Sequence, residues 1–279
     1  MMRFTAGIVR AIGSVADLLG KKKYNESANT ELGSRIEEFI ERDLFFLVLQ
    51  PVVDFRNSDI FNAEILSRLN HPELGTIFPN DFISVIEARG LYSRFDRYIF
   101  RKSCAWLSQA LAEDLHIHCI SCNFSRNTLS EENLAEDLIA IADSYGVPHS
   151  AMALEITEQV PEYGALKMKN NLNRLKAAGF RIILDDYGSG FTSVTDLMTY
   201  PLDILKLDRS LLLNAATEQG AAAFKALVDM AVKLGVEVAC EGIETEEQSQ
   251  FARDAGCHYG QGFLYSRPMS TDQIAEMIK

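Results

Sequence analysis

The sequence has few of the residues that build a secreted or a membrane-embedded protein. Five cysteines occur among 279 residues, an odd number, and no secretory signal accompanies them. This usage is typical of a reducing compartment, so a cytoplasmic location is expected. No apolar run reaches the roughly 18 residues needed to cross a bilayer, and the sequence therefore predicts no transmembrane segment.

Basic residues are outnumbered as well. The chain has 27 lysines and arginines against 39 aspartates and glutamates, which gives a formal net charge of -12 at pH 7. A protein that binds polymeric nucleic acid usually carries a basic surface, so we exclude that class of partner. A small anionic ligand is compatible with this composition, because bound metal ions can reverse the local field.

Two of the cysteines have a spacing that occurs in metal and redox sites. Cys119 and Cys122 form a C-x-x-C pair inside an apolar run that is typical of a strand. Zinc or redox chemistry is one interpretation, but no second pair follows at zinc spacing. Buried structural thiols are the interpretation that we favour.

The first 35 residues differ in pattern from the rest. Met1 to Lys23 is weakly amphipathic and ends in three lysines, which fits a membrane-surface helix or, as we favour, a connecting helix or frayed tail. Residues 24–34 are polar without apolar periodicity and are predicted to be a linker. We therefore divide the chain into an N-terminal helix and linker segment, residues 1–35, and one domain, residues 36–279. The segment is compatible with the tail of a larger sensor protein.

From Ile36 onward a unit recurs in which a helix ends at a glycine and a short apolar strand follows. Gly146, Gly179, Gly235 and Gly256 end four such helices, as left-handed residues commonly do. The strands are apolar on both faces, which is typical of parallel strands covered on both sides. The predicted strands are Phe45–Val53, Phe61–Leu66, His118–Phe124, Met152–Thr157, Arg181–Asp186, Asp203–Leu207, Val236–Glu241 and Gly260–Tyr265.

Strands that alternate with helices over this length predict an α/β fold with a closed barrel. The first two strands are an exception, because the loop from Asp54 to Ile60 is short and a parallel crossover needs a dozen or more residues. These two strands should form an antiparallel hairpin. The predicted fold is a barrel with one strand reversed.

Polar side chains interrupt the apolar strands, mostly near their carboxyl ends, where α/β barrels place their chemistry. They are Glu64, Asn123, Glu155, Asp185, Asp186, Lys206, Glu241 and Gln261. Burying an unpaired carboxylate is costly, so several carboxylates at one barrel mouth require cations. Oxygen donors without histidine select hard ions, Mg²⁺ or Mn²⁺. Two adjacent aspartates further predict a pair of ions, which serves in-line displacement at phosphorus.

Each of these residues also has a structural interpretation on its own. Glu64 would be a core carboxylate paired with an arginine, and Asp185-Asp186 would be a turn or a helix cap. Lys206 would be an ordinary ion-pair lysine, and Gln261 would cap a strand. We prefer the metal site because a polar group falls on every strand from the second to the eighth.

These residues lie in motifs that occur, in the same order, in the EAL-domain cyclic di-GMP phosphodiesterases, which the chain resembles over roughly residues 36–279. The motifs are Gln50-Pro51, Glu64-Ile65-Leu66 with Arg68, Asn123-Phe124-Ser125, Glu155-Ile156-Thr157-Glu158, Asp185 to Phe191, Lys206 to Arg209, Glu241 to Glu244 and Gln261-Gly262-Phe263. Ile65 stands where the family has alanine, and Leu69 where it has tryptophan. Neither residue is a ligand, and strand alternation points Ile65 away from the ligand side.

The resemblance implies a (βα)8 TIM-like barrel with an antiparallel first strand, and hydrolysis of cyclic di-GMP to linear pGpG by a homodimer. It implies two divalent ions, Mg²⁺ or Mn²⁺. The first would be held by Glu64, Asn123, Glu155 and Asp185, and the second by Asp185, Asp186 and Glu241. Lys206 would orient or activate the attacking water, or Glu241 would act as the general base. Substrate contacts would come from Gln50, Leu66, Arg68, Gln261 and Phe263, and Glu158 would anchor the loop from Asp186 to Phe191.

Two other functions compete with this one. A receptor or interaction module of the same fold would bind cyclic di-GMP without turnover, but such members usually lose metal ligands or the lysine, and this chain retains all of them. A metal-dependent phosphohydrolase for another phosphodiester would share the metal site. Arg68 and the Gln261–Phe263 stretch argue for the dinucleotide instead.

Overall fold

Eleven α-helices, one short 3-10 helix at His149–Ala151 and ten strands occur in the part of the chain that the structure describes, residues 26–157, 164–190 and 194–279 of a computed structural model. The strands are β1 Phe45–Asp54, β2 Ile60–His71, β3 Gly75–Ile77, β4 Cys119–Phe124, β5 Met152–Thr157, β6 Arg181–Tyr187, β7 Ile204–Leu207, β8 Glu237–Cys240, β9 Tyr259–Gly260 and β10 Met269–Ser270. The helices are α1 Glu26–Glu41, α2 Pro79–Ala88, α3 Tyr92–Ala112, α4 Arg126–Leu129, α5 Leu134–Ser144, α6 Ala165–Ala178, α7 Val194–Thr199, α8 Arg209–Asn214, α9 Glu218–Lys233, α10 Glu246–Asp254 and α11 Thr271–Met277.

Eight of the strands close into a barrel in the order β1-β2-β4-β5-β6-β7-β8-β9, with β9 pairing back onto β1. The pairs from β2 through β9 are parallel, whereas β1 runs antiparallel to both of its neighbours. The predicted barrel with a reversed first strand is therefore confirmed. The short strands β3 and β10 were not predicted, and they extend the sheet beyond β2 and β1.

The interior of the barrel is filled by side chains from almost every strand. A buried cluster inside it contains Val52, Phe61, Cys119, Ala153, Ile183, Ile204, Ala239 and Tyr259. Phe61 and Tyr259 stack with their ring centroids 4.3 Å apart. A second, larger core lies between the strands and the surrounding helices. Because the interior is packed, a ligand has room at the mouth of the barrel, and the site must lie there.

All five cysteines are free and buried. Burial raises the pKa of the Cys119 thiol to about 12, although the nearby Arg181 opposes this shift. A thiol with such a pKa is protonated and unreactive at neutral pH. The structure favours buried structural thiols over a zinc or redox site at Cys119 and Cys122.

The predicted linker at residues 24–34 is wrong from Glu26 onward, because α1 begins there. Leu32, Ile36 and Phe39 of this helix are buried, at the i, i+4 and i+7 spacing of one helical face. Leu32 is the first apolar residue of this stripe, so the polar residues before it show no periodicity. The domain boundary at residue 36 stays a prediction, and Met1 to Lys23 lies outside the described residues. Within the described part, no helix is long and apolar enough to cross a membrane.

Gly33→Ala tests the helical assignment of this region. Alanine forms helices better than glycine by roughly 0.5–1 kcal/mol. The added methyl group would lie 3.6 Å from the Arg89 guanidinium, an ordinary contact. We expect the free energy of unfolding in urea to rise by about that amount.

Gly75→Ala is the matched control, because Gly75 has a φ of +74° and nothing within 4 Å of an added methyl group. This variant should lose roughly 1 kcal/mol, since alanine tolerates a positive φ poorly. An unchanged stability of the Gly33→Ala protein would contradict the helix.

Candidate active site

The predicted ring of polar side chains converges on the ammonium group of Lys206. Its Nζ lies 3.2 Å from Oε2 of Glu64, 3.0 Å from Oε2 of Glu155, 3.0 Å from Oδ1 of Asp185 and 2.7 Å from Oε1 of Glu241. The Lys206 side chain is 4% exposed. Three strands, and the residue directly after a fourth, therefore each direct a carboxylate toward one buried cation at the barrel mouth.

The parallel register explains why these side chains meet. Asn123 of β4 lies opposite Glu155 of β5, so both reach the mouth at the same level. Asp185 of β6 lies opposite Thr157, two residues further along β5 than Glu155. Such a stagger follows from the tilt of the strands in a closed barrel. Glu64 joins the group through hydrogen bonds from Asn123 Nδ2 at 3.1 Å and Gln261 Nε2 at 2.7 Å.

The Asp185-Asp186 pair depends on an irregularity at the end of β6. Successive side chains on a regular strand point to opposite faces, which would separate the two carboxylates. Asp186 has a left-handed φ of 57°, and the register of β6 against β7 shifts between Leu184 and Tyr187. A bulge of this kind redirects a side chain. Asp185, Asp186 and Glu241 consequently bring ligand atoms within 4.8 Å of one another.

The electrostatics of the cluster show an excess of negative charge. Burial, together with the charge of Asp185, raises the pKa of Asp186 to about 9. Burial also raises the pKa values of Glu155 and Glu241 well above their ordinary range. Burial would lower the pKa of Lys206, but the surrounding carboxylates, Asp185 first, raise it well above its usual value. Lys206 is therefore charged, but its single positive charge does not neutralise all the carboxylates around it.

This donor set fits divalent hard cations. It consists of carboxylate oxygens and the amide of Asn123, and such oxygens are the ligands that Mg²⁺ and Mn²⁺ prefer. The triad of Asp185, Asp186 and Glu241 has the spacing of one ion site. Glu64 and Glu155 adjoin this triad through Lys206, whose Nζ lies within 3.2 Å of both and of Asp185 and Glu241. The carboxylate cluster could therefore hold divalent metal.

A cleft of about 340 Å³ opens above the cluster. All five residues predicted to contact substrate line it, namely Gln50, Leu66, Arg68, Gln261 and Phe263. One wall is largely apolar and comes from α2, α3 and the residue before α2, Phe78. The lining also contains Phe263, whose ring centroid lies 4.4 Å from the Arg267 guanidinium. The cleft thus combines a charged floor with an apolar wall and an aromatic side chain.

Arg68 supplies a buried positive charge in this cleft. Its guanidinium lies 5.1 Å from the ring centroid of Phe78, and its Nη1 donates to the carbonyl of Ser67 at 2.8 Å. Burial lowers the pKa of Arg68 to about 10, although Glu64 opposes the shift. Arg68 stays charged at neutral pH and can donate hydrogen bonds to an anionic ligand. Gln50 is held by a hydrogen bond from its Nε2 to the carbonyl of Ser266, at 3.3 Å.

Gln261 was expected to begin the eighth strand, but β9 ends at Gly260. A methyl group on Gly262 would collide with the backbone of Ile243, so the chain packs here against the loop after β8 rather than continuing as a strand. Gln261 nevertheless reaches the cluster, as its hydrogen bond to Glu64 shows. Glu158 and Phe191 lie outside the described residues, and the loop-anchoring role of Glu158 stays a prediction.

Sequence reasoning missed Asp96, which lies in the wall of the cleft. Its Oδ2 accepts hydrogen bonds from the backbone N–H of Ser125, at 2.9 Å, and from Oγ1 of Thr128, at 2.6 Å. It thereby fixes the turn that follows Asn123. Asp96 is in the second turn of α3, and its partners are about 30 residues away in sequence, so no local pattern could indicate the contact.

Comparison with known proteins identifies the family. A sequence profile of the EAL domain matches residues 34–268. The chain belongs to the EAL domain family. Similar proteins include a cyclic di-GMP phosphodiesterase of Pseudomonas aeruginosa, PA2567, which is 30% identical over 84% of this chain and 40% of that protein. An oxygen sensor protein of Escherichia coli, DosP, is 26% identical over 87% of this chain and 30% of that protein.

Solved structures agree with this family. The EAL enzyme Bd1971, bound to cAMP and cyclic di-GMP, has a TM-score of 0.82 and 25% identity, and the match covers 98% of this chain and 76% of that one. The phosphodiesterase PaMucR in complex with cyclic di-GMP has a TM-score of 0.80 and 29% identity, over 88% of this EAL chain and 99% of that one. The present chain spans about two fifths of the length of the first curated relatives that it matches.

Asp96→Asn tests the electrostatics of the cleft wall. Burial raises the pKa of Asp96 to about 6, above its usual 3.8, even though the hydrogen bonds from Thr128 and Ser125 oppose the shift. Because Asp96 has a higher pKa in the folded state than in the unfolded state, the folded state binds the proton more tightly. The protein therefore loses stability as the pH rises from about 4 through 6. Asparagine keeps an acceptor oxygen and carries no charge.

We therefore compare the free energies of unfolding in urea of the Asp96→Asn protein and the unsubstituted protein. The stability of the variant relative to the unsubstituted protein should increase between pH 4 and pH 7. Asp229→Asn serves as the control, because Asp229 is exposed and its surface partner, Lys233, is a lysine rather than a histidine. If the difference in free energy of unfolding between the Asp96→Asn protein and the unsubstituted protein does not change with pH, the pKa of Asp96 is not raised by burial.

Proposed function

We propose that this EAL domain hydrolyses cyclic di-GMP to the linear dinucleotide pGpG, with two divalent metal ions as cofactors. The observation that carries the proposal is the intact group of oxygen donors around Lys206, beneath a cleft that contains Arg68. Relatives named as cyclic di-GMP phosphodiesterases support the choice of substrate. The domain would act as a homodimer, which the resemblance to the family implies, in the cytoplasm, which the cysteine usage leads us to expect.

The proposed metal ligands form two groups. Glu64, Asn123, Glu155 and Asp185 would hold one ion, and Asp185, Asp186 and Glu241 would hold the other. Bound ions of this kind lower the pKa of water toward neutrality and neutralise charge on a phosphate. They would also relieve the repulsion that raises the pKa values of Asp186 and Glu241.

The chain's own residues have distinct tasks in this proposal. Lys206, held as an ammonium by four carboxylates, donates hydrogen bonds and orients the attacking water against the scissile phosphorus. Arg68 donates to a non-bridging phosphate oxygen. Gln261 holds Glu64 in place, and Phe263 offers an aromatic face to the ligand. In the alternative assignment Glu241 accepts the proton of the water, and its Oε1 is 2.7 Å from Lys206 Nζ.

Turnover can be tested directly with the purified domain. With Mn²⁺ or Mg²⁺ present, we expect chromatography to show conversion of cyclic di-GMP to a linear product. Glu64→Gln removes a charged ligand at nearly constant volume. Substitution of residues that only hydrogen-bond to metal ligands costs up to about a hundredfold in activity, so loss of a ligand should lower the rate by at least that factor. Glu276→Gln, on the exposed face of α11, should leave the rate unchanged.

Three outcomes would count against the proposal. Binding of cyclic di-GMP without turnover at saturating Mn²⁺ would indicate a receptor. Faster hydrolysis of another phosphodiester in competition would indicate a different substrate. Full activity of the Glu64→Gln protein would contradict the proposed ligands of the first ion.

A further inference from the structure

A buried ion pair outside the proposed ligand set lies beside the metal cluster. The side chains of Arg126 and Asp196 are 6% and 5% exposed, with Nη2 of Arg126 3.7 Å from Oδ2 of Asp196. Arg126 opens α4, directly after the strand that carries Asn123. Asp196 lies in the first turn of α7, the helix that follows the Asp185-Asp186 loop.

The same guanidinium also holds the end of a third strand. Nε of Arg126 donates to the carbonyl of Thr157 at 2.5 Å, and Nη2 donates to the same oxygen. Thr157 is the last residue of β5, two positions after Glu155, and it lies opposite Asp185. The guanidinium further lies 6.0 Å from the ring centroid of Tyr200, just after α7. One arginine thus joins the ends of β4 and β5 to the helix after β6.

We infer that the Arg126–Asp196 pair is a positioning device for the metal ligands. The three connections that it joins follow the strands of Asn123, Glu155 and Asp185, which are three of the four proposed ligands of the first ion. A planar guanidinium can donate to a carbonyl and face a carboxylate at once, whereas an ammonium is a point charge and cannot reproduce that fork. Ligand position determines metal affinity, so residues around the ligands affect binding without contacting the ion. The inference rests on the proposed metal centre.

The experiment measures Mn²⁺ binding to the full chain by the electron paramagnetic resonance signal of free Mn²⁺, without substrate. Asp196→Asn keeps the shape of the side chain and removes the charge that faces Arg126. Its dissociation constant for Mn²⁺ should rise about tenfold. Arg126→Lys keeps the charge and removes the fork, and it should weaken Mn²⁺ binding as well. In turnover, both variants should lower kcat at fixed, subsaturating Mn²⁺, with recovery at high Mn²⁺ and little change in KM for cyclic di-GMP.

Asp54→Asn is the matched control. Asp54 pairs with Arg56 at 2.6 Å and is also largely buried, but it ends β1 beside Tyr259, at the opposite end of the barrel. This variant should lose stability and keep the Mn²⁺ affinity of the unsubstituted protein.

The outcomes separate this inference from the proposed function. If the unsubstituted chain binds Mn²⁺ and either folded variant, Asp196→Asn or Arg126→Lys, binds it equally well, the positioning role is wrong and the metal centre stands. If Asp54→Asn weakens Mn²⁺ binding as much as the other two, the effect is one of general stability, and the positioning role is again wrong. If the unsubstituted chain binds no Mn²⁺, the proposed metal centre and this inference both fail.

Discussion

The repulsion among the carboxylates at the mouth of the barrel is the constraint on which the rest of this structure depends. Glu64, Glu155, Asp185 and Glu241 each contact Lys206, and Asp186 adds a further carboxyl group beside them. Buried charges of one sign are costly unless a cation or a proton offsets them. The raised pKa values of Glu155, Asp186 and Glu241 show that one lysine does not suffice. The fold therefore bears a local cost that divalent ions would remove.

The surrounding architecture is arranged to hold that costly group together. The interior of the barrel is packed with apolar side chains below the mouth, so it has no space for the polar side chains, which stay at the mouth. The left-handed conformation of Asp186 turns a second carboxylate toward the first. Such local strain persists where the surroundings fix it, and it is common at functional sites. The free energy gained by packing the core thus offsets the cost of burying several carboxylates at the site.

Much of the fold could be predicted from sequence because its determinants are local. A loop of a few residues between Val53 and Phe61 allows a hairpin and excludes a parallel crossover, which fixed the direction of the first strand. The site residues stood out for a similar reason, since charged side chains such as Glu155 and Lys206 interrupt apolar strands. Their common location followed from the rule that parallel strands end at one face of a barrel.

The features that were missed depend on contacts between distant parts of the chain. Asp96 acts on a turn 29 residues away, and Arg126 faces Asp196 across 70 residues of sequence. The eighth predicted strand, Gly260–Tyr265, is shortened to β9, Tyr259–Gly260, because Gly262 packs against the Ile243 backbone. The polar start of α1 gave no periodic signal before Leu32. A pattern of neighbouring residues in the sequence cannot indicate contacts between distant segments.

The central claim is that the acidic group at the barrel mouth holds two metal ions. Anomalous diffraction from crystals grown with Mn²⁺ measures this most directly, because manganese positions are located independently of the protein atoms. The account predicts two peaks in each chain. One should be ligated by Glu64, Asn123, Glu155 and Asp185, and the other by Asp185, Asp186 and Glu241. Crystals that show no peak among these carboxylates at saturating Mn²⁺, or only one peak in each chain, would contradict it.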